Sequence, residues 1–285
     1  MFFKKSRRIA FGILGFLIFA NIIAYIAVFN LSQNKFLEVS FFDVGQGDAA
    51  LIETPNKNQI LIDGGPDYSV LSQLSKELPF YDRSIDLIIL SHPDSDHLFG
   101  FLEILNRYDV KNILWTGYKK NTPEFKEWEE KIKTEGANIV FAQAGQRIFI
   151  QDNPLIFIDI LYASDLKSLN SNDSSIVCRL VFENRSFLFM GDATEKSEQN
   201  ILGLGKSDII KIGHHGSKDS TSLKLLQAVS PKAAIISVGE NNYGHPSGEV
   251  LEKLKNSDID VLRTDKLGTI KFVSDGSSLK SFNYK

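Results

Sequence analysis

The stretch Ser91-His92-Pro93-Asp94-Ser95-Asp96-His97 gathers two imidazoles and two carboxylates within six residues. It follows the apolar run Ile88-Ile89-Leu90 and precedes a helical pattern over Leu98–Arg107. Side chains at the ends of buried strands open onto clefts in α/β folds, and an irregular turn there can aim neighbouring groups at one point. Imidazole and carboxylate donors together suit divalent ions such as zinc or manganese. The alternative is a turn with a helix N-cap, but a cap needs one Asp, not two carboxylates flanked by histidines.

The chain has five histidines. His214 and His215 lie in Lys211-Ile-Gly-His-His-Gly-Ser217 after a predicted strand, Asp208–Ile212, and His245 lies in Tyr243-Gly-His-Pro-Ser247 after Ala233–Val238. Asp192 follows the apolar run Phe187–Met190 in Gly191-Asp-Ala193. No histidine is spent on a core face or an ordinary surface helix. Taken singly, His214 and His215 read equally as ligands or as structural residues.

The elements that must position these loops follow from periodicity. Strands are expected at Phe36–Val44, Ala49–Thr54, Gln59–Asp63, Ile85–Leu90, Asn112–Trp115, Asn138–Phe141, Arg147–Ile150 and Leu155–Leu161. A hairpin over Ile176–Phe182 and Ser186–Met190 comes next, then strands at Asp208–Ile212, Ala233–Val238, Ile259–Leu262 and Thr269–Val273. Helices are expected at Tyr68–Leu78, Leu98–Arg107, from Thr122-Pro123 to about Glu135, and from Glu195, Ser220 and Ser247. Tyr118 to Glu135, with Phe125 and Trp128, reads as a surface helix rather than a substrate-facing insertion. Strands first, then strand–helix alternation, implies two mixed sheets packed together with helices outside, in one domain from about Phe36.

The chain has 285 residues, Lys+Arg 32 against Asp+Glu 35, and 43% hydrophobic residues. That composition excludes a fibre or a disulfide scaffold. With one cysteine, Cys178, a thiolate zinc knuckle cannot be built, so any metal must be held by His, Asp or Glu. The charge is unevenly spread. Lys4, Lys5, Arg7 and Arg8 precede an uncharged apolar run from Ile9 to Phe29, broken only by Asn21. Such a run can cross a hydrocarbon core of about 30 Å, with the basic flank inside and the remainder outside the cell. Residues 1–30 therefore read as a cytoplasmic tag and signal anchor, 31–35 as a tether and 36–285 as an extracytoplasmic domain; a cleaved signal peptide is the alternative. Removing the four N-terminal cations leaves 28 Lys and Arg against 35 acids, a net −7.

In combination, Asp43-Val-Gly-Gln-Gly-Asp48, Leu61-Ile-Asp-Gly-Gly65, Leu90-Ser-His-Pro-Asp-Ser-Asp-His97, Met190-Gly-Asp192, Lys211–Ser217 and Gly244-His-Pro-Ser247 resemble the metallo-β-lactamase fold hydrolases. The resemblance covers nearly all of Phe36–Val273 and is to the extracellular domain of ComEC-type competence DNA-uptake proteins. It implies an αββα sandwich and two divalent ions, zinc or manganese. His92 and Asp94 would serve one ion, Asp96 and His97 the other, and Asp192 would bridge them. His245 matches the last metal-binding His, His215 is a further ligand candidate, and Asp63 would orient a ligand imidazole. Asp96 would accept a proton, and Lys211 or His214 would steady the oxyanion or protonate the leaving group. Asn172 and Ser217 are candidates for substrate contact, while Asp43 and Asp48 either face the same mouth or merely cap turns. The superfamily's His before the Gly-Asp loop has no counterpart in Ser171-Asn-Asp-Ser-Ser175. The multi-helix channel that accompanies this domain is not carried over.

The implied activity is a metal-dependent phosphodiesterase or nuclease acting on DNA at the membrane, with DNA-uptake machinery as a partner. No basic stripe favours nucleic acid. A small or wall-bound phosphodiester of phosphocholine or teichoic acid type is therefore a second candidate substrate, and a non-catalytic accessory of an uptake machine is a third reading.

Overall fold

Leu37, Val39 and Phe41 are buried at every second position, as a strand facing a core requires. They belong to β1, Leu37–Phe41, in a computed structural model that describes residues 11–25, 35–164, 170–201 and 203–284. The chain divides into two units, Met1–Lys35 and Phe36–Lys285.

In the larger unit, the first sheet contains β1, β2 (Ala50–Glu53), β3 (Gln59–Ile62), β5 (Leu87–Ile89), β7 (Asn112–Trp115), β8 (Asn138–Phe141), β16 (Thr269–Ser274) and β17 (Leu279–Tyr284). Their order is β17-β16-β1-β2-β3-β5-β7-β8. The second contains β9 (Arg147–Gln151), β10 (Ile156–Tyr162), β11 (Val177–Phe182), β12 (Arg185–Phe189), β13 (Ile209–Lys211), β14 (Ala233–Ile236) and β15 (Asp260–Arg263). Its order is β15-β14-β13-β12-β11-β10-β9. Both sheets are mixed: β3, β5, β7 and β8 run parallel in one, and β12 to β15 in the other.

The sheets pack face to face through Val39, Phe41, Ile52, Ile60, Ile158, Leu180, Phe187 and Phe272, with Phe41 stacked on Phe189 at 5.6 Å. Each such fully buried apolar side chain contributes about 1.5–3 kcal/mol. On the outer face of the first sheet, Leu61, Ile88 and Ile113 meet Leu74 of α2 (Ser69–Glu77), Phe101 of α3 (Ser95–Arg107) and Trp128 of α4 (Pro123–Thr134). On the other outer face, Leu188, Ile210 and Ile236 lie under α6 (Leu223–Val229) and α7 (Gly248–Asn256); α5 (Glu195–Glu198) and α8 (Thr264–Leu267) are single turns. The expected four layers, helix on sheet on sheet on helix, are present.

Some boundaries differ from expectation. The strand expected at Ile85–Leu90 is cut by Asp86 into β4 (Ser84–Ile85), which pairs with β6 (Asp109–Val110), and β5. The Asp86 carboxylate accepts from the Gln59 N–H at 2.8 Å and from Lys111 at 2.7 Å. Helix α3 starts at Ser95, three residues before the expected Leu98, so Asp96 and His97 lie in its first turn. Strand β17 was not expected.

One close approach positions the site. A Cβ at Gly100 would lie 1.9 Å from the Gly64 carbonyl oxygen, so only glycine allows α3 to press against the loop after β3. There the Gly64 N–H donates to the His97 carbonyl at 2.7 Å.

In the smaller unit, residues 11–25 form α1, about 22 Å long at helical rise. Its Asn21 amide turns back onto the Leu17 carbonyl at 2.8 Å. Among the described residues, no helix is long and apolar enough to cross a membrane. The rest of the expected anchor, its basic flank Lys4–Arg8 and residues 31–34 of the tether lie outside the described residues.

Candidate metal centre

The loops after β5, β12, β13 and β14 and the first turn of α3 bring Asp94, Asp96, Asp192, His214, His215 and His245 to one cleft of about 580 Å³. Asp192 is the common neighbour. Its Oδ1 lies 3.3 Å from His97 Nε2, and its Oδ2 lies 3.6 Å from His215 Nε2 and 3.9 Å from both His92 Nε2 and His214 Nε2. Two donor sets share it. Asp96, His97, Asp192 and His215 offer ligand atoms all within 4.8 Å of one another. His92 Nε2 faces the Oδ2 atoms of Asp94 and Asp192, each at 3.9 Å.

Hydrogen bonds on the far side of the rings fix this aim. Asp63 accepts from His97 Nδ1 at 2.8 Å, from the Ser91 N–H at 2.7 Å and from the Ser91 hydroxyl at 2.8 Å. With its O–H donated in a hydrogen bond to Asp63, the Ser91 hydroxyl accepts from His92 Nδ1 at 3.1 Å. His215 Nδ1 donates to the Ser237 carbonyl at 2.9 Å. These partners assign the protons to Nδ1 and leave three Nε2 atoms directed inward. The strained turn Gly213–Gly216, with His214 and His215 both at positive φ (49° and 52°), sends the two adjacent rings into the same cleft.

The charge balance and the unpaired atoms fit a cation. Asp48, Asp63, Asp94, Asp96 and Asp192 outnumber the nearby ammonium groups, Lys120 on Asp94 at 2.7 Å and Lys211 on Asp48. His92 Nε2, His97 Nε2 and Asp192 Oδ1 are buried without a hydrogen bond. Burial resists the charge on Asp192, yet the surrounding His215, His97 and His92 hold it ionised, well below the usual carboxylate range. Burial also opposes protonation of His97 and His215, but Asp192 with Asp63 raises the first, and Asp192 with Asp48 pushes the second up to about 10. In His92, burial and the neighbouring His97 lower the pKa, so this ring is neutral at physiological pH. Asp48, Asp63 and His97 also lie close together, but His97 Nδ1 is engaged by Asp63 and Asp48 is paired with Lys211, so we read them as supporting the centre rather than forming a second one.

Other expected residues are placed as follows. His245 lies one ring further out, 5.3 Å from His214 and 6.4 Å from His215 between centroids, with Nδ1 buried and unpartnered. Lys211, expected at the substrate, is instead buried against Asp48 and is not among the residues lining the cleft. Ser217 is buried too, its N–H closing the turn onto the His214 carbonyl at 2.8 Å. Asn172 does line the cleft, its amide 3.2 Å from His214 Nε2. Asp43 does not line the cleft: its carboxylate accepts from the Gly45 N–H at 3.4 Å, as a turn cap, and its backbone meets Gln73 and Thr269. Asp48 is no mere turn cap: it touches Lys211, His215 at 3.3 Å and His97 at 3.9 Å.

Asp94 occupies the N-cap position of α3 yet makes no capping bond, because its carboxylate is turned to Lys120. Helix α4 is a surface helix packed through Phe125, Trp128 and Ile132, but the loop before it supplies that lysine. Ser91, Lys120, Ser175, which takes the Asp192 N–H at 3.0 Å, and the Ser237 carbonyl are supports that no spacing in the sequence marks.

The family model described as the metallo-beta-lactamase superfamily matches residues 42–240. The chain is 31% identical over 256 residues to ComE operon protein 3 of Bacillus subtilis, covering 82% of this chain and 33% of that protein. It is 35% identical over 223 residues to Recombination protein 2 of Haemophilus influenzae, covering 76% and 26%. The chain thus spans about a third of the length of the curated relatives it matches. Among solved structures, the metallo-beta-lactamase fold protein YhfI of Bacillus subtilis superposes with TM-score 0.58 at 12% identity, covering 84% of this chain and 99% of that one.

Proposed function

Because the chain belongs to the metallo-beta-lactamase superfamily, with the His/Asp cluster of a metal-dependent hydrolase, we propose that it is a membrane-anchored, extracytoplasmic phosphodiesterase that cuts DNA. The observation that carries the reading is the convergence of His92, His97, His214 and His215 on the single carboxylate Asp192 at the floor of an open cleft. His92 and Asp94 would hold one divalent ion, Asp96, His97 and His215 the other, and Asp192 both. Bound there, such ions supply acidified water and neutralise charge on a phosphoryl oxygen.

The chain's own groups do the rest. Asp63, Ser91 and Ser237 keep the rings oriented, and Lys211 holds Asp48 beneath His215. Asp96, which lines the cleft, would take a proton, and His214, beside Asn172 in the same lining, would give one to a departing oxygen. DNA is favoured by the relatives' names, which include Recombination protein 2 and Competence protein ComA of Neisseria gonorrhoeae. The anchor rests on the uncharged run Ile9–Phe29 behind four basic residues.

A specific observation favours a second substrate, a small or wall-bound phosphodiester: among the described residues no Lys or Arg lines the cleft. The full chain, purified in detergent with Mn²⁺ or Zn²⁺, separates the two readings. Cleavage of DNA supports the first. Intact DNA beside a hydrolysed glycerophosphodiester supports the second. Absence of both activities together with absence of bound metal leaves the non-catalytic accessory.

A further inference from the structure

Tyr243 is 77% exposed at the mouth of the cleft, although it sits beside the most buried chemistry of the molecule. Its ring lies 5.8 Å from that of His245, inclined by 34°, and His245 in turn lies 5.3 Å from His214. A single imidazole therefore separates an open aromatic face from the residues around Asp192. The ring is presented by a braced loop. Asn241 accepts from the N–H groups of Tyr243 and His245, both at 3.1 Å, and its amide donates to the carbonyls of Gly239 and His245, both at 2.9 Å. Gln46 ties the same loop to the opposite wall by accepting from the Gly239 N–H at 3.3 Å.

The other rim residues, Gln46, Glu240, Asn241 and Asn242, are polar or acidic, and among the described residues no Lys or Arg lines the cleft, while the Lys120 ammonium is bound to Asp94 of the lining at 2.7 Å. With Lys120 already paired to Asp94, the described lining offers a nucleic acid little of the phosphate–lysine contact that usually dominates such binding. Stacking on an aromatic face is the remaining general source of affinity for a single strand, and it tolerates any base.

We infer that Tyr243 is a stacking platform for the nucleobase next to the scissile phosphodiester, so that the site takes single-stranded nucleic acid and discriminates against phosphodiesters without a base. This rests on the phosphodiesterase reading above and narrows its substrate class.

The test uses the full chain with Mn²⁺ and two oligonucleotides of equal length and charge, one with ordinary bases and one with abasic sugars throughout. Wild type should cleave the base-bearing strand with kcat/KM about 10- to 100-fold higher, the span that stacking of one base provides, and the preference should reside in KM. Tyr243→Ala should abolish the preference and Tyr243→Phe should keep it. A preference unchanged in Tyr243→Ala, or absent in wild type that cleaves both strands, overturns the assignment of Tyr243 while leaving the phosphodiesterase reading standing. If wild type cleaves neither strand but hydrolyses a glycerophosphodiester, the nucleic-acid reading falls and the platform with it.

Discussion

Asp63 and His97, 34 residues apart in sequence, share a buried hydrogen bond of 2.8 Å. Asp63 adopts a positive φ of 59° at the end of β3, and α3 is brought to it through Gly64 and Gly100. Replacing Asp63 with Asn should keep the shape but weaken control of the His97 proton. The expected result is a loss of about 10- to 100-fold in metal affinity, read by competition with a coloured chelator, with a folded circular dichroism spectrum. Unchanged affinity would detach Asp63 from the centre.

Lys211 and Asp48 form a buried ion pair under the cleft. Lys211→Met removes the shortest of the cationic contacts on Asp48, leaving only His215 and His97 to compensate it, and should cost up to about 3–5 kcal/mol in urea denaturation of the metal-free protein. The double change Asp48→Leu with Lys211→Met should recover part of that loss. Full stability in the single variant would contradict the assignment of Lys211 as a partner of Asp48.

The fold reads from the sequence wherever one residue's neighbours decide its environment. The alternation at Leu37, Val39 and Phe41 marks a core strand, and Thr122-Pro123 marks the start of α4, where the Thr122 hydroxyl accepts from the Phe125 N–H at 3.3 Å. The start of α3 is misread because Asp94 offers capping chemistry and metal chemistry at once, and only the fold shows its carboxylate committed to Lys120. His92, Asp96 and Asp192 stand out because they are titratable residues in strand-end loops. Ser91, Ser175 and the Ser237 carbonyl do not, since a neutral hydroxyl or a backbone oxygen acquires its role only from long-range packing. Lys211 shows the converse. Its place in a motif suggests contact with substrate, whereas its burial makes it a support.

Stability of the metal-free protein should fall in mild alkali. Burial lowers the proton affinity of His215, but Asp192 and Asp48 outweigh it and hold its pKa at about 10, against about 6.5 in an unfolded chain. The proton therefore favours the folded state. Its contribution is complete below about pH 6.5 and is lost as pH rises to about 10. Tm in the presence of a chelator should drop across that window, and zinc binding within it should release protons, seen as a buffer-dependent heat. A flat Tm from pH 6.5 to 10 would contradict the electrostatic account.

Gly47 meets Asp96 through the backbone, since a Cβ there would lie 2.5 Å from the Asp96 carbonyl oxygen and 2.7 Å from Pro66 Cδ. Gly47→Ala should cost about 1–3 kcal/mol and lower metal occupancy by shifting the first turn of α3. Gly248→Ala, where nothing lies within 4 Å, is the matched control and should change neither quantity.

The most direct test of the metal centre is metal content and DNA cleavage measured together on the full chain and on Asp192→Asn, which removes the charge shared by both donor sets. Wild type should hold about two divalent ions per chain and cleave DNA, and Asp192→Asn should lose both properties while remaining folded. Equal cleavage by the two proteins, or wild-type chain that cleaves DNA with no divalent ion bound, would contradict the account.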